Sequence, residues 1–551
     1  MIKKLTDEIS VAPQIKPSEL AELAAQGFRS IICNRPDGEG ADQPLFSEVE
    51  RAAASLGLVT RYIPVKTGMV SDEEAAAFGS LLEELPKPVL AYCRSGTRST
   101  ALWALSQAGQ RPASEIVEIA RSADFDVTGV MGRGAKDGAS KPAASHDIVI
   151  VGGGAAGAAV AASLLRRRSD LDIAVIDPAD THYYQPGWTM VGAGIFTPEQ
   201  TAKSMAAVLP RRVSWIKAAV AGFDPEQNSV VIEGCRAIRY NHLVVCPGIK
   251  LDWSGIEGLT ATLGRNGVTS NYRYDLAPYT WELVRSLRSG RALFTQPPMP
   301  IKCAGAPQKA MYLSADHWLR NGRLQDIDVA FYNAGGVLFG VAEYVPALMD
   351  YVQRYDAALH FSHTLVAIDG PQRKVWFKKT ASDGSAQTVE SSFDMIHVCP
   401  PQLAPDFVRA SPVADGAGWV DVDHATLRHK RYPNIYGLGD ASSTPNAKTA
   451  AAARKQGPVV AENILFDKGL RQGQCAYDGY GSCPLTVERG KIVLAEFAYG
   501  GKLAPTFPRF LLDGTKPSRA AWFLKERILP PIYWKAMLKG REWMAKPKGM
   551  A

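Results

Sequence analysis

Two cysteines in this 551-residue chain have neighbours that could make them reactive. Cys93 ends an apolar run at 88–92 and opens the loop Cys93-Arg94-Ser95-Gly96-Thr97-Arg98-Ser99, after which 100–107 reads as an apolar helix. A sulfur at that junction meets loop N–H groups and a helix N-terminus, which stabilise negative charge on it. Arg94 and Arg98 add positive charge, so the loop could cradle a phosphate, a sulfur oxyanion or a persulfide. The bland alternative is a buried strand-end thiol with two solvated arginines. Cys303 lies in Pro300-Ile301-Lys302-Cys303-Ala304-Gly305-Ala306-Pro307-Gln308-Lys309, and a helix is expected over 308–320. Lys302, Lys309 and that helix N-terminus favour a thiolate. The competing reading is a small apolar cysteine in a loop.

The elements that position these thiols follow from hydrophobic pattern and glycine spacing. Residues 148–151 form a short β-branched apolar run, expected to be a buried parallel strand. Gly152, Gly154 and Gly157 follow at G-x-G-x-x-G spacing, with Ala155 and Ala156 between them. A helix is expected over 158–168 and a second strand over 173–176, ending at Asp177, 20 residues past Gly157. Strand, glycines, helix, strand and acid in this order predict a dinucleotide, its pyrophosphate on the helix N-terminus and a ribose hydroxyl on Asp177. The aromatic, Gly-rich run 181–194, which includes Gln185, would line a ring-shaped ligand, with a core-packing loop as the bland alternative. A strand at 243–245 ends in Cys246-Pro247-Gly248, a second turn placed to contact the cofactor. A second α/β unit begins at 291–295, yet prolines replace the glycine fingerprint there and Cys303 stands at its mouth. Near the end, Gly439 and Asp440 close an apolar strand, and Lys448-Thr449 opens an Ala-rich helix expected to reach Gln456. That arrangement suits a flavin ribityl hydroxyl.

Around these units the chain divides into 1–120, a small α/β domain; 121–145, a flexible Gly/Ala/Ser/Lys linker; 146–510, a nucleotide-binding domain; and 511–551, a basic tail. In the first domain helices are expected at 17–26, after Pro17, and from the Ser71 cap to about 85, with strands at 30–33 and 59–65. The eight cysteines include no C-x-x-C pair, so neither zinc nor a disulfide scaffold is expected. Cys33, Cys235, Cys475 and Cys483 read as packing residues. The net charge is +7, and from 514 to 551 nine Lys or Arg stand against two Glu, so the rest of the chain is near neutral and no nucleic-acid surface is expected. The start lacks a signal-peptide core, and no apolar run reaches the roughly 18 residues of a membrane span. This predicts a cytosolic or peripheral protein. In the tail, ten apolar or aromatic residues from Trp522 to Trp543 alternate with Lys and Arg, and Pro530-Pro531 is expected to split them into two short helices. Such a tail suits an anionic membrane surface, or else it docks on its own core.

Residues 31–39 and 88–99 resemble a small bacterial family with a tyrosine-phosphatase-like fold, also found fused to persulfide dioxygenases. That pattern has five residues between Cys and Arg, whereas Cys93 and Arg98 have four between them, a loop similar to that of rhodaneses. The resemblance implies sulfane-sulfur transfer on Cys93, with phosphate ester hydrolysis as the alternative. The segments 182–194, 300–309, 396–401, 411–423, 432–440 and 477–485 closely resemble sulfide:quinone oxidoreductases of the animal-mitochondrial and related bacterial type. This implies an α/β fold: a two-dinucleotide-binding-domain, Rossmann-like flavoprotein preceded by the phosphatase-like domain and followed by an amphipathic helical tail. It also implies FAD held by Gly152, Gly154, Ala155, Ala156, Gly157, Asp177, Gln185, Gly439, Asp440 and Lys448. Sulfide would be oxidised at Cys303, a quinone reduced, and the sulfur handed to a thiol, to sulfite or to Cys93. The enzyme would sit peripherally on the cytoplasmic face of the inner membrane. In that family a second redox cysteine follows the Asp of the late G-x-G-D motif, where this chain has Ala441. Cys399, at a strand end, could supply the missing sulfur, or Cys303 could act alone with an external thiol or Cys93. The rivals are an NAD(P)H-dependent flavin disulfide reductase and a redox-sensing sulfur carrier.

Overall fold

The computed structural model describes residues 2–39, 43–65, 70–131, 144–232 and 236–550. The chain forms two compact units: 1–146 with 218–240 and 406–412, and 147–217 with 241–405 and 413–551.

The first unit is built on a five-stranded sheet in the order Lys3–Lys4, Ile9–Ala12, Val89–Tyr92, Ser30–Cys33, Val59–Tyr62. Its pairs are parallel except the first. Ser30–Cys33 and Val89–Tyr92 are buried along their whole length, as a strand covered on both faces must be. The expected strand at 59–65 stops at Tyr62, and the expected helix at 17–26 is a 3-10 turn, Pro17–Glu19, running into Leu20–Ala25. Asp72–Glu84 begins where expected: the Ser71 hydroxyl accepts from Glu74 N, and the Glu74 carboxylate accepts from Ser71 N at 2.8 Å, a reciprocal cap. Helix Thr97–Ser106 starts three residues earlier than its apolar pattern, because Gly96, at φ +91°, turns the chain directly out of the Cys93 loop. Of the expected linker, 132–143 lies outside the described residues. Before it, Ser122 ends the helix Ala113–Ser122, and Val127 and Met131 are buried in the core of this unit.

The second unit carries two parallel sheets. In one, Ser214–Ile216, Ile173–Ile176 and Ala144–Val151 lie side by side, and Leu243–Val245 pairs with Ile435–Gly437. Helices Ala155–Arg167 and Ala450–Asp467 pack on it around an Ala-, Val- and Leu-rich core. The second helix does not stop near Gln456. It continues through Gly457-Pro458, since most of its residues are buried against a neighbour and tertiary packing outweighs the proline penalty. The other sheet has the order Val268–Thr269, Met395–His397, Gly290–Gln296, Ile327–Asn333, Ala358–Phe361. Helix Ala306–Arg320 packs on it, and the hairpin Gly481–Glu488/Lys491–Phe497 packs on that helix through Cys483, Leu485, Val493 and Ala495.

The C-terminal segment departs from its expectation. Pro530-Pro531 does not divide it. Helical geometry runs from Arg519 to Lys539, with wide π turns at Leu524–Ile528 and Ile532–Ala536. A π turn removes the i→i−4 contact that a proline ring would otherwise violate. Five of the ten apolar residues read as a membrane face, Trp522, Tyr533, Trp534, Met537 and Leu538, are instead buried in the protein's own core. Gly540, at φ +66°, brings the chain so near helix Ala155–Arg167 that a Cβ there would lie 2.4 Å from Ala162 O. Phe510, Leu511, Phe523 and Trp543 remain exposed. Among the described residues no helix is long and apolar enough to cross a membrane.

Candidate functional site

A cavity of about 510 Å³ runs through the second unit, bounded by the first glycine turn, the late Gly439-Asp440 turn, the Cys303 turn and the C-terminal segment. Three glycines do different work in the first turn. Gly152, at φ +102°, passes so close to the neighbouring strand end that a Cβ would lie 2.5 Å from Cys246 O. A Cβ on Gly157 would lie 1.8 Å from Gly152 O, so only glycine lets the helix sit against the turn. Gly154 faces open space, as the N-cap of Ala155–Arg167 on the cavity wall. The Asp177 carboxylate accepts from Gly153 N at 2.7 Å and Ala179 N at 2.8 Å, which fixes it at the strand end where the cavity begins.

On the opposite wall Gly439 N donates to Gln456 Oε1 at 2.8 Å, and Lys448 Nζ donates to Asp440 O at 2.7 Å and Ser442 O at 3.0 Å. Burial brings Lys448 down to about 8 and pushes the Asp440 carboxyl up. Thr449 caps Ala450–Asp467 through Ala452 N, aiming a second helix N-terminus at the same space. Trp188 Nε1, Thr189 Oγ1 and Asn271 Oδ1 are buried polar atoms with no protein partner, on residues that line this cavity. They are groups for a bound ligand to satisfy.

The Cys303 turn is held by its backbone. Cys303 sits at φ +50°, a conformation a β-carbon disfavours, and Cys303 N donates to Lys448 O at 2.9 Å while Ala306 N donates to Cys303 O at 2.7 Å. Its Sγ receives Lys309 Nζ at 3.0 Å. A second sulfur, Cys483 Sγ, lies 3.7 Å away. The hydrogen bond from Cys483 and the Lys309 ammonium together hold the Cys303 thiol well below the usual range, against the cost of burial. The Cys483 thiol is correspondingly pushed up, by its bond to Cys303 and by burial. Lys525, from the C-terminal segment, also faces this group, and burial with Lys309 nearby brings it down to about 7.

Residues 1–110 match the model of the phosphatase-like domain of Beta-lactamase hydrolase-like protein, and residues 146–297 match Pyridine nucleotide-disulphide oxidoreductase. The chain is 40% identical over 378 residues to the mitochondrial sulfide:quinone oxidoreductase of Dictyostelium discoideum, covering 68% of this chain and 81% of that protein. The chain belongs to the sulfide:quinone oxidoreductase family. The Mus musculus member is 36% identical over 369 residues, covering 67% of this chain and 81% of that one. The solved sulfide:quinone oxidoreductase of Aquifex aeolicus shares the fold, with a TM-score of 0.61 at 20% identity over 73% of this chain and 92% of that one. The cofactor of this oxidoreductase is FAD. The two helix N-termini, the open face at Gly154 and the three unpartnered polar atoms fit such a dinucleotide.

Several residues expected to hold FAD line the cavity, among them Gly154, Asp177, Gln185, Asp440 and Lys448. Gln185 Oε1 accepts from Lys302 Nζ at 2.6 Å, so of the two lysines flanking Cys303 only Lys309 bonds the sulfur. Cys399 is buried beside Tyr272 and Ile301; its Sγ lies 3.6 Å from Gln402 Nε2, and burial raises its thiol to about 12. Cys483, read from the sequence as a packing residue, is the partner that reading missed. It lies 180 residues from Cys303, with no spacing signal to join them. Lys525, one of the nine basic residues of 514–551, likewise carries no sequence signal that joins it to Cys303. Cys235 lies outside the described residues.

In the first unit, the Cys93 Sγ accepts from Gly96 N at 3.1 Å, and Ser99 Oγ donates to Asn34 Oδ1 at 2.8 Å. Arg98 is buried and committed: Nη1 donates to Val65 O at 2.6 Å and Nη2 to Glu39 at 2.7 Å. Arg35 also bonds Glu39, whose carboxyl lies below its ordinary range, with the Arg98 bond as the main cause. Arg94 is exposed.

Proposed function

We propose that the chain oxidises sulfide at Cys303 and delivers two electrons, by way of FAD, to a quinone. One observation carries this reading: a thiolate-stabilising turn forms part of the wall of the dinucleotide cavity, where a second glycine fingerprint would otherwise stand. FAD, when bound, supplies the two-electron redox partner. The protein supplies the rest. Lys309 keeps Cys303 ionised and nucleophilic. Lys448, through its backbone, holds Cys303 in a left-handed turn beside the cavity. Asp440 and Asp177 give hydroxyl-binding groups at opposite walls.

Quinones are lipid-dissolved, and the exposed Phe510, Leu511 and Phe523 offer an apolar surface near the C-terminal end of the cavity, where Phe507 and Leu524 line it. This supports peripheral attachment to a membrane, which we place on the cytoplasmic face of an inner membrane. The sulfur leaves Cys303 for a small thiol, for sulfite or for Cys93, whose loop N–H groups suit a sulfur anion; carriage on one chain raises the effective concentration of that last acceptor.

Anaerobic sulfide is expected to bleach the flavin absorbance of the purified holoenzyme, and decylubiquinone to restore it. Bleaching by NADH but not by sulfide would instead identify an NAD(P)H-dependent reductase. Sulfide-treated protein should carry additional sulfur on Cys303, and on Cys93 if that loop is the acceptor, by mass spectrometry.

A further inference from the structure

One cation on the cavity wall lacks a counter-charge. Arg454 lies in helix Ala450–Asp467, about one turn past the Thr449 cap, and lines the cavity with Tyr480, Pro484, Leu494 and Phe507. Its Nη2 donates to Trp543 O, which fixes the guanidinium. Its Nε is buried and has no protein partner. A carboxylate on the same cavity wall, Glu496, is already taken: it accepts from Tyr480 Oη at 2.5 Å and from Thr506 N at 3.1 Å. Burial disfavours the Arg454 charge, and among the described residues only the Tyr480 hydroxyl supports it. A buried cation with an open donor is costly unless a ligand accepts from it.

We propose that Arg454 is a catalytic residue of quinone reduction: its Nε–H donates to a carbonyl oxygen of the bound quinone, and its charge stabilises the negative charge that builds there. This assignment rests on the quinone-reducing reading given above. Two features select a quinone over other acceptors. The dinucleotide has its phosphate and hydroxyl partners elsewhere on the wall, at the Gly154 helix N-terminus, at Asp177 and at Asp440. A lipid phosphate stays at the surface, whereas the open Nε is buried in a cavity that Pro484, Leu494 and Phe507 make apolar, as a ring requires. Phe507 is followed by the exposed Phe510 and Leu511, a surface from which a lipid-dissolved molecule can enter. The reduction balances without a proton from Arg454. Two electrons reach the quinone by way of FAD, as the family's activity supplies, and two protons come from solvent water, so each C=O becomes C–OH. The guanidinium keeps its protons throughout. Its hydrogen bond strengthens as the oxygen gains charge, so it acts more on the rate than on binding.

The test uses full-length holoenzyme and takes the two half-reactions separately. Arg454→Met should leave anaerobic bleaching of the flavin by sulfide at the native rate, and its reoxidation by ferricyanide likewise. Reoxidation at saturating decylubiquinone should fall by ~100-fold, the scale of one lost oxyanion donor. Arg454→Lys, which keeps the charge, should recover about tenfold of that loss. Native reoxidation by decylubiquinone in Arg454→Met overturns the assignment, as does an Arg454→Lys variant no faster than Arg454→Met. A raised Kd for FAD in Arg454→Met would make Arg454 a cofactor contact, and lost binding to phosphatidylglycerol vesicles with native reoxidation would make it a lipid contact. Both overturn it. A measurement on the native chain stands even where a variant fails to fold: decylubiquinone should protect Arg454 from phenylglyoxal, read by mass spectrometry. Equal modification with and without the quinone overturns the role. Failure of sulfide to bleach the native chain, or of decylubiquinone to reoxidise it, would overturn the parent reading and this assignment together.

Discussion

The two units present the same local motif and use it differently. In both, a cysteine stands between a strand and a helix N-terminus with basic residues a few positions away. At Cys93 the nearby Arg98 is already occupied by Glu39 and Val65 O, and the sulfur is met by a backbone N–H. At Cys303 the nearby Lys309 has its ammonium on the sulfur itself, with a second thiol beyond it. A basic residue activates a thiol only when no carboxylate closer to it takes its charge. At the first site the cation is thus held by a carboxylate, and at the second it lies on the sulfur.

The largest effect expected from breaking this contrast is at Cys303 itself. Cys303→Ser should abolish sulfide-driven bleaching of the flavin in an anaerobic stopped-flow trace. Next, Lys309→Met removes one of the three groups, with Cys483 and Lys525, that hold the Cys303 thiol down. The pH midpoint for alkylation of Cys303 by iodoacetamide should rise, and the rate at a pH between the native and variant midpoints should fall. An unchanged midpoint would assign the stabilisation to Cys483 and Lys525. On the other side of the comparison, Glu39→Gln should release Arg98 to a bound anion. Phosphate or sulfate should then protect Cys93 from alkylation at roughly tenfold lower concentration than in the native chain, the scale of one charge-assisted hydrogen bond.

The smallest effect concerns Lys525, whose buried ammonium titrates near 7 in the folded chain, below its ordinary 10.5. Between those values the unfolded chain holds more protons, so this group makes stability rise with pH, and below 7 the full cost of burying the charge is present. Lys525→Met should raise the thermal midpoint by a few degrees at pH 6. The gain should shrink by pH 9. A gain independent of pH would mean the lysine acts through packing alone.

Much of the site could be read without coordinates. Gly152, Gly154, Gly157 and Asp177 have a spacing fixed by one strand, one turn and one helix, so local rules suffice. Gly439-Asp440 and the Lys448-Thr449 helix start are equally local. The errors have a common cause. Helix Ala450–Asp467 passes through Gly457-Pro458 because its buried neighbours outweigh a local breaker. Trp522, Tyr533, Trp534, Met537 and Leu538 suit a lipid surface or the protein's own core, since an apolar helical face does not name its partner, and only packing places them in the core.

What the chain determines by itself is therefore the cofactor cradle, the presence of a cysteine among lysines in place of a second nucleotide turn, and the strand-loop-helix setting of Cys93. Each is a short-range pattern whose backbone geometry only a few residue types can adopt. Tertiary structure alone decided which side chains meet: Lys309 and not Lys302 on Cys303, Cys483 as the neighbouring sulfur, Lys525 facing both, and Arg98 claimed by Glu39. Those contacts join residues brought together by sheet order and helix packing, and no spacing along the chain encodes a distance across a core.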